Sequence, residues 1–83
     1  MAARPVWVPV AGPLPSGVQC RHQALLGGWV LVSELVLTGS GVAEVRINGE
    51  PQGKPILGRL STARRLYRAV QRSVRLRQAV LPL

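Results

Sequence analysis

The sequence predicts a small α+β protein that runs strand, short helix, β-hairpin and then a basic segment of helical or strand character. Two apolar-rich faces alternate over 29–38, apolar and charged residues alternate over 44–47, and glycine-containing turns separate these stretches. The 83 residues allow one domain at most, and an apolar composition without Phe makes a modest core. We therefore expect a partner to contribute to the stability of the fold.

The segments before the hairpin are expected to be short. Residues 4–10 alternate as a strand, but two prolines confine that strand to an edge or to partial pairing. Residues 11–17 are rich in turn formers. Residues 18–26 allow a short helix with Val18, Cys20, Leu25 and Leu26 partly on one side, and Gly27-Gly28 would end it.

The hairpin is the clearest element of the sequence. Its first strand spans 29–38, a Gly39-Ser40-Gly41 turn follows, and the second strand spans 42–47. Residues 48–55 form a second turn or loop that leads into 56–60. The predicted faces are Trp29, Leu31, Leu35 and Leu37 against Val30, Val32, Glu34 and Val36 in the first strand, and Val45 and Ile47 inward with Glu44 and Arg46 outward in the second.

The segment after Ser61 has two possible interpretations. As one helix over 62–81, it aligns Leu66, Val70, Val74 and Leu81 on one stripe and Arg64, Arg68, Arg72 and Arg75 on another. The alternative is a strand over 64–69 followed by a short helix. The spacing slightly favours the helix.

The charge distribution points to an anionic partner. The formal net charge is +8, and all of it lies in residues 46–83, which hold nine basic residues and Glu50. Such a field attracts nucleic acid, an anionic membrane or an acidic protein. The excess of Arg over Lys suits phosphate, since guanidinium binds phosphate with two hydrogen bonds. A GC-rich coding sequence would give the same bias.

Enzymatic and metal chemistry find little support in the sequence. Cys20 and His22 lie two residues apart, but a structural zinc site needs four ligands, and the chain has one Cys, one His and no Asp. No glycine-rich phosphate loop or paired carboxylates are present. We predict no enzyme, cofactor or small-molecule substrate. No stretch approaches a membrane span, and a basic amphipathic helix over 62–81 acting on membranes ranks last among the candidates.

Several segments, taken in order, resemble the small-subunit ribosomal protein eight family. Residues 6–9 (V-W-V-P) look like its first strand, and residues 24–30 (A-L-L-G-G-W-V) resemble the end of its second helix. Residues 53–61 (G-K-P-I-L-G-R-L-S) are similar to its passage into a second subdomain, and residues 64–67 (R-R-L-Y) look like a strand there. The resemblance covers about 78 residues and implies subdomains at 1–50 and 51–83.

The chain also departs from this family. It lacks the N-terminal helix, Thr62-Ala63 stands where a proline is usual, and the family's Ser-Thr-Ser loop and last strands would fall beyond Leu83. The resemblance therefore implies an incomplete two-subdomain ribosomal protein, shortened as members in organellar, and in particular mitochondrial, ribosomes are. A second chain and neighbouring ribosomal proteins would be partners, together with small-subunit rRNA.

The resemblance and the charge together select the candidate rRNA-binding residues. Cations neutralise phosphates, Ser61 can bind a ribose or phosphate, and Tyr67 can stack on a base or belong to the core. A second basic group, which includes Arg77, can face RNA, an acidic protein or solvent. The predicted site comprises Lys54, Arg59, Ser61, Arg64, Arg65, Tyr67, Arg68, Arg72 and Arg75.

The expected function is that of a structural constituent of the small ribosomal subunit that binds rRNA through this basic surface. The alternative is a viral or phage structural protein, with a glycine-linked hairpin and a basic segment that faces packaged nucleic acid. The number of copies per particle separates these two functions.

Overall fold

The computed structural model describes residues 4–74 and shows an α+β fold, in which one helix follows an antiparallel sheet and packs on it. The expected fold class is confirmed at this level. The elements are β1 Val8–Pro9, β2 Val18–Leu26, β3 Trp29–Leu37, β4 Val42–Ile47, β5 Glu50–Pro51, β6 Ile56–Leu57 and α1 Leu60–Ser73.

The sheet is a meander in which neighbours in sequence are neighbours in space. Its order is β1-β2-β3-β4-β5, and β6 pairs with β4. All of these pairs are antiparallel. The long hairpin of β2 and β3 forms its centre, and β1 at one edge contributes two paired residues, as the prolines of this segment predict.

The prediction of a short helix over 18–26 is wrong, because this segment is the nine-residue strand β2. Cys20, His22, Ala24 and Leu26 alternate on the face that carries Leu35, with Ala24 and Leu26 buried. Gly27 and Gly28 do not end a helix. Their φ values of 56° and 82° form a tight turn that joins β2 to β3, and two positive φ angles in succession favour glycine.

The second hairpin agrees with its prediction. β3 and β4 end within one residue of the expected bounds, and Leu35 lies opposite Val45 on the inner face. Glu34 and Arg46 lie opposite one another on the outer face, as alternation requires. Asn48 and Gly49, both with positive φ, form the following turn.

The helical interpretation of the basic segment is confirmed for Leu60–Ser73, and the strand alternative over 64–69 is wrong. Residues 64–67, which resemble a family strand, are therefore helical. The residues that pack inward, Ala63, Leu66, Tyr67 and Val70, recur at helical spacing, which a strand would place on both faces. The helix ends at Ser73, because Val74 is extended with φ −71° and ψ 132°, so the predicted continuation of the helix through Val74 is wrong. Arg75, Arg77 and Leu81 lie outside the described residues.

One hydrophobic core joins the helix to the sheet. Leu35, Ala43 and Val45 of the strands contact Ala63 and Tyr67 of α1, and all five side chains are buried. The residues expected to form two subdomains, 1–50 and 51–83, thus share this core through their described parts. The inner face of the sheet is covered by α1, and the outer face is the opposite surface.

Candidate nucleic-acid interface

The helix α1 separates apolar from cationic side chains around its circumference. Ala63 and Tyr67 face the sheet and are buried. Arg64 directly follows Ala63, Arg68 directly follows Tyr67, and both arginines are exposed. Because successive residues are rotated by about 100° around a helix, the arginines lie on the side away from the core.

We call the exposed arginines of this helix the basic face. Arg64, Arg68 and Arg72 follow one another at intervals of four residues, about 6 Å along the axis, and Arg65 adjoins them. No acidic residue occurs in residues 60–73. Arg59, at the start of the helix, and Lys54, in the loop before β6, add exposed charge. The basic face comprises Arg64, Arg65, Arg68 and Arg72.

Two arginines of the sheet, unlike those of α1, form ion pairs with glutamates on the outer face of the sheet. Arg21 binds Glu34 through two nitrogens, at 2.9 and 2.6 Å, and Arg46 binds Glu44 in the same way at 3.0 and 2.7 Å. Within residues 4–74, Arg64, Arg65 and Arg68 make no ion pair. Arg64, Arg65 and Arg68 therefore keep their charge available to an external anion.

The start of α1 adds to the positive field. Arg59 occupies the N-cap position without a side-chain hydrogen bond to the helix, and the first turn has no acidic residue. The helix dipole places partial positive charge at this end, where acidic residues are normally favourable. Cations there make the local field more favourable to phosphate and slightly unfavourable to the isolated helix.

Tyr67 does not belong to the exposed interface, and its prediction as a base-stacking residue is wrong. Its side chain is 3% exposed and lies between α1 and the sheet. The Tyr67 hydroxyl lies 2.9 Å from the hydroxyl of Ser33 and 2.9 Å from Nδ1 of His22. The other interpretation of Tyr67, as a core residue, is the one that the structure supports.

One proton assignment satisfies this buried network. The Tyr67 hydroxyl donates to the Ser33 carbonyl oxygen at 2.9 Å, so it accepts from the Ser33 hydroxyl and from the Nδ1–H of His22. Gln71 Nε2 in turn donates to the Ser33 hydroxyl at 2.8 Å. Burial raises the pKa of Tyr67 above its usual 10.0, because the interior disfavours the phenolate.

Trp7 ties the first segment of the chain to the end of α1. Its indole Nε1–H donates to the carbonyl oxygen of Gln71 at 3.1 Å. The same carbonyl oxygen accepts from the Val74 N–H at 3.4 Å, so the indole adds a second hydrogen bond at the C-terminal end of α1. Hydrogen bonds to β2, to β3 and to the segment before β1 therefore hold α1, which carries the basic face, in place.

The remaining predicted residues divide by exposure. Ser61 is exposed near the start of α1, so it is accessible beside the cations, whereas Arg75 lies outside the described residues. The His22 side chain is committed to Tyr67, and no group of three or more metal-ligating side chains occurs within residues 4–74. Within the same residues, no helix has the length and hydropathy to cross a membrane.

Two residues that matter to the site were missed in the sequence. Ser33 and Gln71 position Tyr67 and the end of α1, yet each reads as an ordinary polar residue. A signal was present for Ser33, since it occupies the inward register between Leu31 and Leu35. A polar residue in that position requires a buried partner.

Comparison with family models, curated proteins and solved structures finds no match to this chain.

Proposed function

We propose that this protein is a structural nucleic-acid-binding subunit that contacts RNA through the basic face of α1. The observation that carries the proposal is the separation of charge between the two sides of the molecule. The arginines of the sheet are neutralised by glutamates at 2.6 and 2.7 Å, whereas Arg64, Arg65 and Arg68 are exposed and without a carboxylate in the described chain. The proposed ligand is therefore a polyanion.

The mechanism is electrostatic anchoring on the phosphate backbone. Each phosphate that a guanidinium neutralises releases condensed counterions, so affinity falls with salt by about 0.7 to 0.9 log units per contact for each log unit of salt. A rigid helix presents the arginines in a fixed row, which limits the entropy lost on binding. Backbone contacts of this kind position a protein but read little base sequence.

The proposal also names the assembly to which the protein belongs, which is the small ribosomal subunit. The resemblance to the small-subunit ribosomal protein eight family favours rRNA as the ligand, with neighbouring ribosomal proteins and a second chain as partners, in a mitochondrial ribosome. Two features of the structure differ from what the resemblance implied, because residues 18–26 are a strand and residues 64–67 are helical. The exposed arginines of α1 support binding to a polyanion whether or not the chain belongs to that family.

The decisive experiment measures RNA affinity against salt for two variants of equal net charge. Arg64→Gln/Arg65→Gln/Arg68→Gln removes three cations from α1. Its control, Arg4→Gln/Arg21→Gln/Arg46→Gln, removes three cations from elsewhere. The ligands are a fragment of small-subunit rRNA containing a helical junction and a random duplex of equal length, followed by fluorescence anisotropy.

We expect the α1 variant to lower the salt dependence by about two to three units of slope, about one per lost contact, and the control to retain the wild-type slope. Circular dichroism checks that both variants are folded. Equal losses in the two variants would show that total charge, and not the basic face, governs binding. Preference for the junction over the random duplex would support rRNA, and equal binding would reject the ribosomal assignment.

A viral or phage structural protein is the second candidate, and one observation favours it. Val6, Leu25 and Val30 leave apolar surface exposed on the side opposite α1. Exposed apolar surface of this kind marks contacts with other proteins, as in a shell of repeated subunits. A native mass spectrum of the intact particle distinguishes one copy of the chain from many.

A further inference from the structure

The outer face of the sheet carries a patch of aliphatic side chains beside a cluster of paired charges. Val8, Leu25 and Val30 are 45%, 73% and 57% exposed, and Val6, just before β1, is 77% exposed. These residues line one shallow cavity of about 540 Å³, with Arg4 at its edge. We call Val6, Val8, Leu25 and Val30 the aliphatic patch.

The strand register explains why the patch is continuous. Leu25 lies opposite Val30 across β2 and β3, and Val8 lies opposite Gln23 across β1 and β2. Opposite residues in an antiparallel sheet point to the same face, with side chains about 5 Å apart. The patch is therefore a fixed surface of the sheet and not a set of scattered side chains.

The four paired charges next to the patch sum to zero, and Arg4 at the cavity adds one positive charge. Arg21 lies opposite Glu34, and Glu34 lies opposite Arg46, so the sign alternates across β2, β3 and β4. Glu44, two residues from Arg46 on the same face, completes two ion pairs. A surface with equal numbers of both signs can face a copy of itself with opposite charges in contact.

We propose that this outer face is the interface between two copies of this chain. A chain of net charge +8 repels its own copies over most orientations. The outer face is the orientation in which this repulsion is weakest, because the cations of α1 lie on the other side of the sheet. Two sheets packed on the aliphatic patch would bury it.

The proposed dimer places the two basic faces on opposite outer surfaces. Each copy then keeps its own basic face accessible to nucleic acid. The dimer itself is independent of the proposed RNA function, because its residues are distinct from the basic face.

The test is sedimentation equilibrium of the full chain, freed of nucleic acid, over a concentration series at low and high salt. We expect a monomer–dimer equilibrium that is unchanged or strengthened by salt, because salt screens repulsion and favours apolar burial. RNA binding has the opposite salt dependence, so failure of one proposal is distinguishable from failure of the other. A chain that stays monomeric at all concentrations would overturn the proposal.

Variants locate the interface. Leu25→Asp places a charge in the patch, and we expect it to raise the dimer dissociation constant at least tenfold. Leu14→Asp is the matched control, because Leu14 is 38% exposed in the connection before β2, outside the patch, and this variant should dimerise as the wild type does.

Val30→Thr keeps a β-branched residue in the strand and provides a milder variant that should fold and still weaken the dimer. A dimer that both patch variants leave unchanged would assign self-association to another surface.

Discussion

The two exposed sides of the molecule use the same residue type in opposite ways. Arg21 and Arg46 lie on strands beside glutamates, where each guanidinium donates two hydrogen bonds to one carboxylate oxygen. Arg64 and Arg68 lie on α1, which has no acidic residue. A surface for anions is therefore defined by where the unpaired charge lies, and not by the number of arginines.

The largest expected effect on stability comes from Tyr67, whose buried side chain joins α1 to the sheet. Tyr67→Ala removes a buried aromatic side chain and should lower the free energy of unfolding by about 3 to 5 kcal/mol. Chemical denaturation measures this change. Arg68→Gln, one residue along the same helix but exposed, is the control and should change stability by less than about 0.5 kcal/mol. Similar losses in the two variants would contradict the assignment of the two helix sides.

The hydroxyl of Tyr67 should account for a smaller part of this stability. Tyr67→Phe keeps the ring but leaves the Ser33 carbonyl and the His22 Nδ1–H without their partner, at a cost of about 1 to 3 kcal/mol. The same denaturation experiment measures it. A Phe variant as stable as the wild type would show that the network adds no net stability.

The pH dependence of stability follows from the raised pKa of Tyr67. Since the neutral phenol is favoured in the folded chain, its contribution is fully present below the unfolded pKa of 10.0 and is lost as pH rises through the higher folded value. The wild type should therefore lose stability in alkali faster than Tyr67→Phe. The chain has one tyrosine, so tyrosinate absorbance follows this group directly. Ionisation at the ordinary pKa with the fold intact would contradict the burial.

A pair of single variants separates the effect of sheet arginines on stability from the effect of helix arginines on RNA affinity. Arg21→Gln leaves Glu34 without its ion pair and should lower stability by up to about 1 kcal/mol, with little effect on RNA affinity. Arg68→Gln should lower RNA affinity and reduce the salt slope by about one, with little effect on stability. Thermal melts and anisotropy measure both quantities. The reverse pattern would exchange the roles of the two surfaces.

The last prediction tests the contact between the first segment and α1. Trp7→Phe removes the indole N–H that donates to Gln71 and should lower stability by about 0.5 to 1.5 kcal/mol. Hydrogen exchange should quicken at the end of α1 more than at its start. Uniform exchange along the helix would show that Trp7 does not stabilise that end.

The sequence by itself determined the hairpin of β3 and β4, the edge position of β1 and the location of the charge. Alternation of apolar residues with a glycine turn is a local signal, and excess arginine is visible without a fold. The helix α1 was also predictable as the favoured alternative, because Leu66 and Val70 recur at helical spacing. These features depend on residues close in the chain.

Only the tertiary structure decided the conformation of 18–26 and the role of Tyr67. The inward row of β2 includes His22, and that of β3 includes Ser33, so both strands lack a clean apolar alternation. These polar residues are acceptable in the interior because the Tyr67 hydroxyl, 45 and 34 residues away, satisfies them. A hydrogen bond between distant residues leaves no periodic trace in the sequence, so only packing could reveal it.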